Sequence, residues 1–159
     1  MDNNIDFIKY GNEWGFGLKR QLCKPNPTAL EVVQQYTYAQ KNKFLSKDDE
    51  INYNNRWLQF NGDFIGQFRK TFNFMKKEFG VKEGHIYANW VMDGHHYGRH
   101  KDTMDVIIVQ MWNKVAYTVE SESRHSSFTL SPGDALYIKA GVYHTPIVLG
   151  ERATMSFSW

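Results

Sequence analysis

From His85 to the C-terminus the chain consists of short runs rich in β-branched and aromatic residues, punctuated by Gly, Asn, Ser and Pro, and no helical period survives there. Such a stretch can bury itself only as paired strands, so the C-terminal half is expected to be all β. The first half reads differently. Trp14-Gly15-Phe16-Gly17-Leu18 alternates large apolar residues with glycine before the break at Pro25-Asn26-Pro27, the pattern of an edge strand. Thr28-Ala29-Leu30-Glu31 has the form of a capping box and predicts a helix from about Thr28 to Phe44, with Ala29, Val32, Val33, Tyr36 and Ala39 on its buried stripe. The polar run Ser46 to Asn55 reads as a loop. Ile65, Phe68, Phe72, Met75 and Phe79 recur at steps of three and four, with Lys76 and Lys77 in the last turn and Gly80 as the stop, which predicts a second helix.

A chain of 159 residues with 42% hydrophobic content can bury one core and is short for two. One domain over 1–159 is therefore expected: an N-terminal strand and two covering helices over 1–84, and a double-sheet jelly-roll barrel over 85–159. The net charge of +2, from 19 basic and 17 acidic residues scattered along the chain, gives no electrostatic case for nucleic acid or a membrane surface. A lone cysteine, Cys23, excludes an intrachain disulfide. Neither a secretory signal nor an apolar run of membrane-spanning length is visible, so a cytoplasmic, reducing setting is expected. Barrel edges and exposed aromatics allow a homodimer without demanding one.

The chemistry concentrates in two segments. In His100-Lys101-Asp102 the histidine and the carboxylate are two apart, which on a strand places both on one face and Lys101 on the other. A third ligand is offered by Pro132-Gly133-Asp134 through His144, which reads as a turn, a strand, a second turn and a histidine opening the next strand. Two histidines and one carboxylate with the remaining coordination positions open form the facial arrangement used for non-haem iron(II) and oxygen. His100, Asp102 and His144 are accordingly the candidate metal ligands and catalytic centre. Asp134 follows Pro-Gly and reads as a turn residue. His95 and His96 fall in a glycine-flanked loop at the barrel mouth, with solvated or substrate-contacting roles, while His85 and His125 read as surface positions.

These segments resemble the cupin-fold iron(II) and 2-oxoglutarate dependent oxygenases, especially the JmjC-type protein hydroxylases. The resemblance covers roughly Ile86 to Trp159. His100-x-Asp102 followed by Asp105-Val106-Ile107-Ile108-Val109-Gln110 is similar to the family's iron-binding strand and the hydrophobic strand after it, and Pro132 to His144 is similar to its distal motif. The resemblance implies a double-stranded β-helix, a bound Fe(II), and 2-oxoglutarate chelating the metal beside molecular oxygen. Decarboxylation to succinate would then drive hydroxylation of a C–H bond in an unidentified protein or small-molecule substrate, with a tilt toward a protein side chain.

Two basic residues compete for the distal carboxylate of 2-oxoglutarate. In JmjC-type members a lysine follows a Gln-x-x-Gly turn, whereas Gln110-Met111-Trp112-Asn113-Lys114 reaches its lysine one position early; if no shortened turn restores Lys114 to the inner face, Val115 takes the slot. In the broader superfamily an arginine beyond the distal histidine binds this group, and Arg152 stands there with Thr154 as a hydroxyl partner. Asn89 and Tyr97 are further candidates to line the cofactor pocket. Lys139, where the family commonly has proline, is a minor departure. Two other readings stand beside the oxygenase: a metal-binding cupin enzyme that does not use 2-oxoglutarate, against which His-x-Asp in place of His-x-His counts, and a non-catalytic cupin binding module.

Overall fold

The computed structural model describes residues 6–46, 56–91 and 98–159. Within them the chain runs α1 (Asp6–Trp14), β1 (Phe16–Lys19), α2 (Ala29–Lys41), β2 (Arg56–Phe60), α3 (Gly66–Phe79), β3 (Glu83–Asn89), β4 (Val106–Trp112), β5 (Val115–Glu120), β6 (His125–Leu130), β7 (Ala135–Ile138), β8 (Tyr143–Val148) and β9 (Arg152–Ser158). The strands form two antiparallel sheets, a six-stranded one in the order β1-β7-β4-β9-β3-β2 and a three-stranded one in the order β6-β5-β8. Two antiparallel sheets with helices over one outer face make the expected jelly-roll architecture.

Strand parity sorts the core. On β4, Ile107, Val109 and Met111 join the cluster beneath the helices, while Val106 and Ile108 join a second cluster between the sheets with Val115, Tyr117, Leu130 and Leu136. On β9, Ala153, Met155 and Phe157 face the helices, leaving Arg152, Thr154, Ser156 and Ser158 to the opposite side. The interior between the sheets is thus apolar toward β1, β7 and β6 and polar along β9 and β3.

The capping box forms as expected, with Glu31 N donating to Thr28 Oγ1 (3.2 Å) and Thr28 N to the Glu31 carboxylate (2.9 Å). The helix ends earlier than expected, at Lys41. Asn42 turns its amide back onto the Tyr38 carbonyl (2.8 Å) and Lys43 adopts φ +61, which stops propagation before Phe44. Of the expected stripe, Val32 and Ala39 are buried, Tyr36 packs on Trp57, and Ala29 and Val33 face out. The missing place is filled by Gln35, buried because Gln59 Oε1 and Ile65 N satisfy its amide (2.9 and 2.8 Å). Helix α3 matches its stripe, and Gly80 at φ +70 closes it through a bond to the Lys76 carbonyl. The expected loop falls largely at 47–55, outside the described residues.

Two features depart from expectation. Among the described residues the first half contributes three helices, α1 being the addition: Phe7 and Gly11 face inward, and Gly11 lies so close to Tyr137 that a side chain there would overlap its ring. The barrel is also not confined to 85–159, since β1 and β2 form the two edges of the six-stranded sheet. β1 is the expected edge strand, and α1 covers its open side.

Asp134 ties β1 to β7. It is nearly fully buried and accepts from Ser131 N (3.0 Å), Gln21 N (3.0 Å) and Arg20 Nη1 (2.6 Å). Burial alone would raise its pKa, but these bonds outweigh it and hold the carboxyl below its ordinary value. A depressed carboxylate contributes stability above its unfolded pKa that is lost as pH falls through the folded one. Asp134→Asn should therefore cost about 1.5–3 kcal/mol at neutral pH, with the deficit shrinking below the ordinary carboxylate range. Urea denaturation at pH 7 and pH 3 measures this, and a deficit independent of pH would contradict it.

Candidate metal centre and buried arginine

His100 and His144 face each other through an isolated bridge, His100 N donating to His144 O (3.0 Å) and His144 N to His100 O (2.8 Å). The segment holding His100 and Asp102 is not a regular strand, contrary to expectation. Only His100 makes a ladder contact, and Asp102 is brought beside it because its carbonyl accepts from Gly141 N (2.9 Å). The outcome still gathers the three residues: one ligand atom from each of His100, Asp102 and His144 lies within 4.8 Å of the others. The imidazole centroids are 4.3 Å apart, and Asp102 Oδ2 is 3.5 Å from His144 Nε2.

Both rings are oriented from behind. His100 Nδ1 lies 2.9 Å from the Gly98 carbonyl and His144 Nδ1 lies 3.1 Å from the Val142 carbonyl. A carbonyl only accepts, so each Nδ1 carries the proton and each Nε2 is the nitrogen whose lone pair can ligate a metal. Burial lowers the pKa of His144; the Val142 bond opposes this, His100 adds to it and Asp102 opposes it. The net effect favours the neutral imidazole that a metal requires. On the other side of this segment the Arg99 guanidinium sits 3.7 Å from the Tyr143 ring centroid and bonds Glu120 (2.9 Å), with Lys101 over the same ring.

The triad opens onto a cavity of about 180 Å3 that also reaches Arg152, Tyr117 and the inner faces of β3 and β9. Arg152 is 3% exposed. Its Nε donates to Asn89 Oδ1 (2.7 Å) and its Nη1 to Thr154 Oγ1 (2.7 Å). Thr154 then donates to Gln110 Oε1 (2.6 Å), and Gln110 Nε2 donates to the carbonyls of Trp112 (2.8 Å) and Asn113 (3.1 Å). Tyr117 lies close enough to act on the Arg152 guanidinium, and its ring centroid is 6.5 Å from that of His144, so one side chain spans between the arginine and the triad. Burial pulls the Arg152 pKa below its ordinary value, while Tyr117 and Tyr87 act against that. Among the described residues no carboxylate bonds this guanidinium, which leaves a buried cation held by neutral groups.

Arg152, Thr154 and Asn89 thus meet in one cluster, and Lys114 does not join it. Asn113 at φ +54 turns the chain from one sheet to the other, Val115 takes the inward position, and Lys114 is exposed beside Asn26, Pro27 and Glu151. Tyr97, His95 and His96 lie outside the described residues. His125 is exposed as expected, but His85 is not a surface residue. It is half-buried, lines the cavity, and accepts from Asn61 N at Nδ1 (3.0 Å). Ser156 and Ser158 on the cavity wall were also missed, although the alternation Arg152, Thr154, Ser156, Ser158 against Ala153, Met155, Phe157 carries the signal at period two.

No family model and no curated protein matches this chain. Solved structures do. A prolyl-4-hydroxylase from Pseudomonas putida matches with TM-score 0.63 at 11% identity over 98% of both chains. The ribosomal oxygenase YcfD from Escherichia coli matches with TM-score 0.53 at 20% identity, over 65% of this chain and 31% of that one. The chain therefore spans less than a third of YcfD, and at these identities the likeness is one of fold. The molecule has the double-stranded β-helix of the cupin-type oxygenases, with a His-Asp-His cluster able to hold a metal. No described helix is long and apolar enough to cross a membrane.

A divalent ion at about 100 times its Kd should stabilise the fold by about 2.7 kcal/mol, read as a rise in Tm that EDTA reverses. Asp102→Ala should abolish the increment; an undiminished rise in that variant would place the ion elsewhere.

Proposed function

We propose that this protein is an Fe(II)- and 2-oxoglutarate-dependent dioxygenase that hydroxylates a C–H bond, with a protein side chain as the favoured substrate. The observation that carries the reading is Arg152. A guanidinium stripped of water and bonded to neutral partners favours an anionic ligand, because burial strengthens the attraction that compensates its lost hydration. That Arg152 lines the same cavity as His100, Asp102 and His144 supports a dicarboxylate held at one end by the metal and at the other by the arginine.

The donor set fits iron(II), since two imidazoles and one carboxylate leave positions for a chelating co-substrate and molecular oxygen. When bound, iron and 2-oxoglutarate supply the oxidising power, with decarboxylation to succinate, that breaks an unactivated C–H bond. The chain's own residues do the placing. Gly98 and Val142 carbonyls hold the two histidines in the ligating tautomer, and Asp102 supplies the negative charge. Arg152 fixes the distal carboxylate, with Thr154 and Asn89 holding the guanidinium in the plane that a bidentate contact needs. Val106, Ile108 and Met104 give the cavity an apolar side that limits water. The choice of a protein side chain rests on analogy of fold alone, with a prolyl-4-hydroxylase and a ribosomal oxygenase.

Anaerobic titration of the iron(II)-loaded protein with 2-oxoglutarate should give the weak visible absorption band of the chelate, and His100→Ala should lose it. Arg152→Met should weaken 2-oxoglutarate by about 100-fold or more, at a cost in stability of about 1–3 kcal/mol because Asn89 Oδ1 and Thr154 Oγ1 lose the donor they meet in the wild type. Lys114→Ala should change neither. Iron binding without a band in the wild type would overturn 2-oxoglutarate dependence.

A further inference from the structure

One stretch of the cavity wall is not used by the metal or by the Arg152 cluster. In the pairing of β3 with β9, Asn89 stands opposite Arg152, Tyr87 opposite Thr154, His85 opposite Ser156, and Glu83 opposite Ser158. The first two pairs belong to the arginine end. The last two continue along the same faces, and His85, Ser156 and Ser158 all line the cavity that contains His100, Asp102 and His144.

Ser158 is 2% exposed, and its hydroxyl has no hydrogen-bond partner among the described residues. An orphaned buried hydroxyl costs about 1–3 kcal/mol of desolvation that a well-packed alanine would not, so its presence on a cavity wall points to a ligand that completes it. His85 adds a directional donor. Its Nδ1 accepts the Asn61 N–H, so the neutral ring carries its proton on Nε2, the reverse of the tautomer at His100 and His144. Burial lowers its pKa, which keeps the ring neutral near pH 7. The Asp102 carboxylate is close enough to act on this ring, and Glu83 Oε2 lies 3.9 Å from Nε2, beyond hydrogen-bond distance. Two carboxylates at this end disfavour an anion, and the directional donor of the wall, the N–H of a neutral imidazole, finds no acceptor on an ammonium-type cation. A neutral group that both accepts and donates fits: its carbonyl takes the Nε2–H, and its N–H gives to a serine hydroxyl.

We propose that His85, Ser156 and Ser158 form the subsite that recognises a neutral amide of the prime substrate, holding it beside the metal. This inference rests on the oxygenase reading for its meaning but not for its test. Ser158→Ala isolates the claim, since removal of an orphaned hydroxyl should leave Tm unchanged or raise it.

The experiment uses the full chain loaded with Zn(II), a diamagnetic ion for the same ligands, and 13C-labelled 2-oxoglutarate. Ring 15N–1H NMR follows His85 while N-methylacetamide, acetamide, acetate or methylammonium is added. The labelled carboxylate reports the chelate and the imidazole reports the subsite. Saturable movement of His85 Nε2–H with an amide, weakened about 5-fold or more in Ser158→Ala and weaker still for acetate and methylammonium, is the expected result. N-methylacetamide binding more tightly than acetamide assigns a peptide amide, and the reverse assigns a side-chain carboxamide. Bound 2-oxoglutarate without amide movement, movement untouched by Ser158→Ala, or preference for either ion overturns the subsite and leaves the oxygenase reading standing. Amide movement without 2-oxoglutarate binding keeps the subsite and overturns that reading.

Discussion

Strand β9 is buried at every position from Arg152 to Ser158, and the two-sided burial of this one strand organises the molecule. It lies in the interior of the six-stranded sheet, paired with β3 along its whole length and with β4 from Ala153 to Phe157, and its side chains alternate between two enclosed spaces. Ala153, Met155 and Phe157 anchor the helical layer, Phe157 stacking on Phe72 of α3 at 6.3 Å. Burying a side chain the size of Met or Phe contributes roughly 1.5–3 kcal/mol, and that apolar face sets the register. A slip of one residue would drive Arg152 and the serines under the helices and Met155 and Phe157 into the cavity. The polar face is therefore aimed by the apolar one.

An enclosed polar face has to be satisfied from within. At the arginine end this is done by a chain in which Arg152 donates to Asn89 and Thr154, Thr154 to Gln110, and Gln110 to the backbone carbonyls of Trp112 and Asn113. Gln110 thereby fixes the corner where the chain leaves one sheet for the other, next to the register shift between Gln110 and Trp112. The same corner turns Lys114 outward. The arginine that faces the cavity and the lysine that does not are two consequences of one arrangement.

The metal ligands sit where the structure is least regular. His100 and Asp102 lie on an extended segment held by the bridge to His144 and the bond from Gly141, with Arg99 and Lys101 over Tyr143 on the far side. Two fixed points and an aromatic backing hold the ligands without committing the segment to a ladder, so it can meet the entrance of β8 at the angle that lets both imidazoles converge. The carbonyls that orient the rings belong to Gly98 and Val142, two residues before each histidine, so the local chain carries its own support.

Much of this was legible along the sequence. Local chemistry wrote the capping box at Thr28, the stripe and glycine stop of α3, the edge strand at Phe16 and the His-x-Asp pair with its distal histidine, while Arg152 with Thr154 was a candidate through the resemblance to the oxygenases alone, level with Lys114. Helix α1 was not read, since its buried face is only Phe7 and Gly11, and Gly11 counts as inward-facing only once Tyr137 is known to need a residue without a side chain against its ring. His85 read as surface because nothing nearby in sequence announces that the interior opposite β9 is polar. By itself the sequence determined which side chains alternate, the cap that starts α2, the glycine that stops α3 and the His-x-Asp pair, since those follow from interactions within a few residues, whereas His144 meets that pair only through the bridge to His100. Only the tertiary structure decided that Arg152 and not Lys114 faces the cavity, and that His85 and Ser158 share it, because sheet order and strand register join residues far apart in the chain and a one-residue difference in a turn reverses every side chain beyond it.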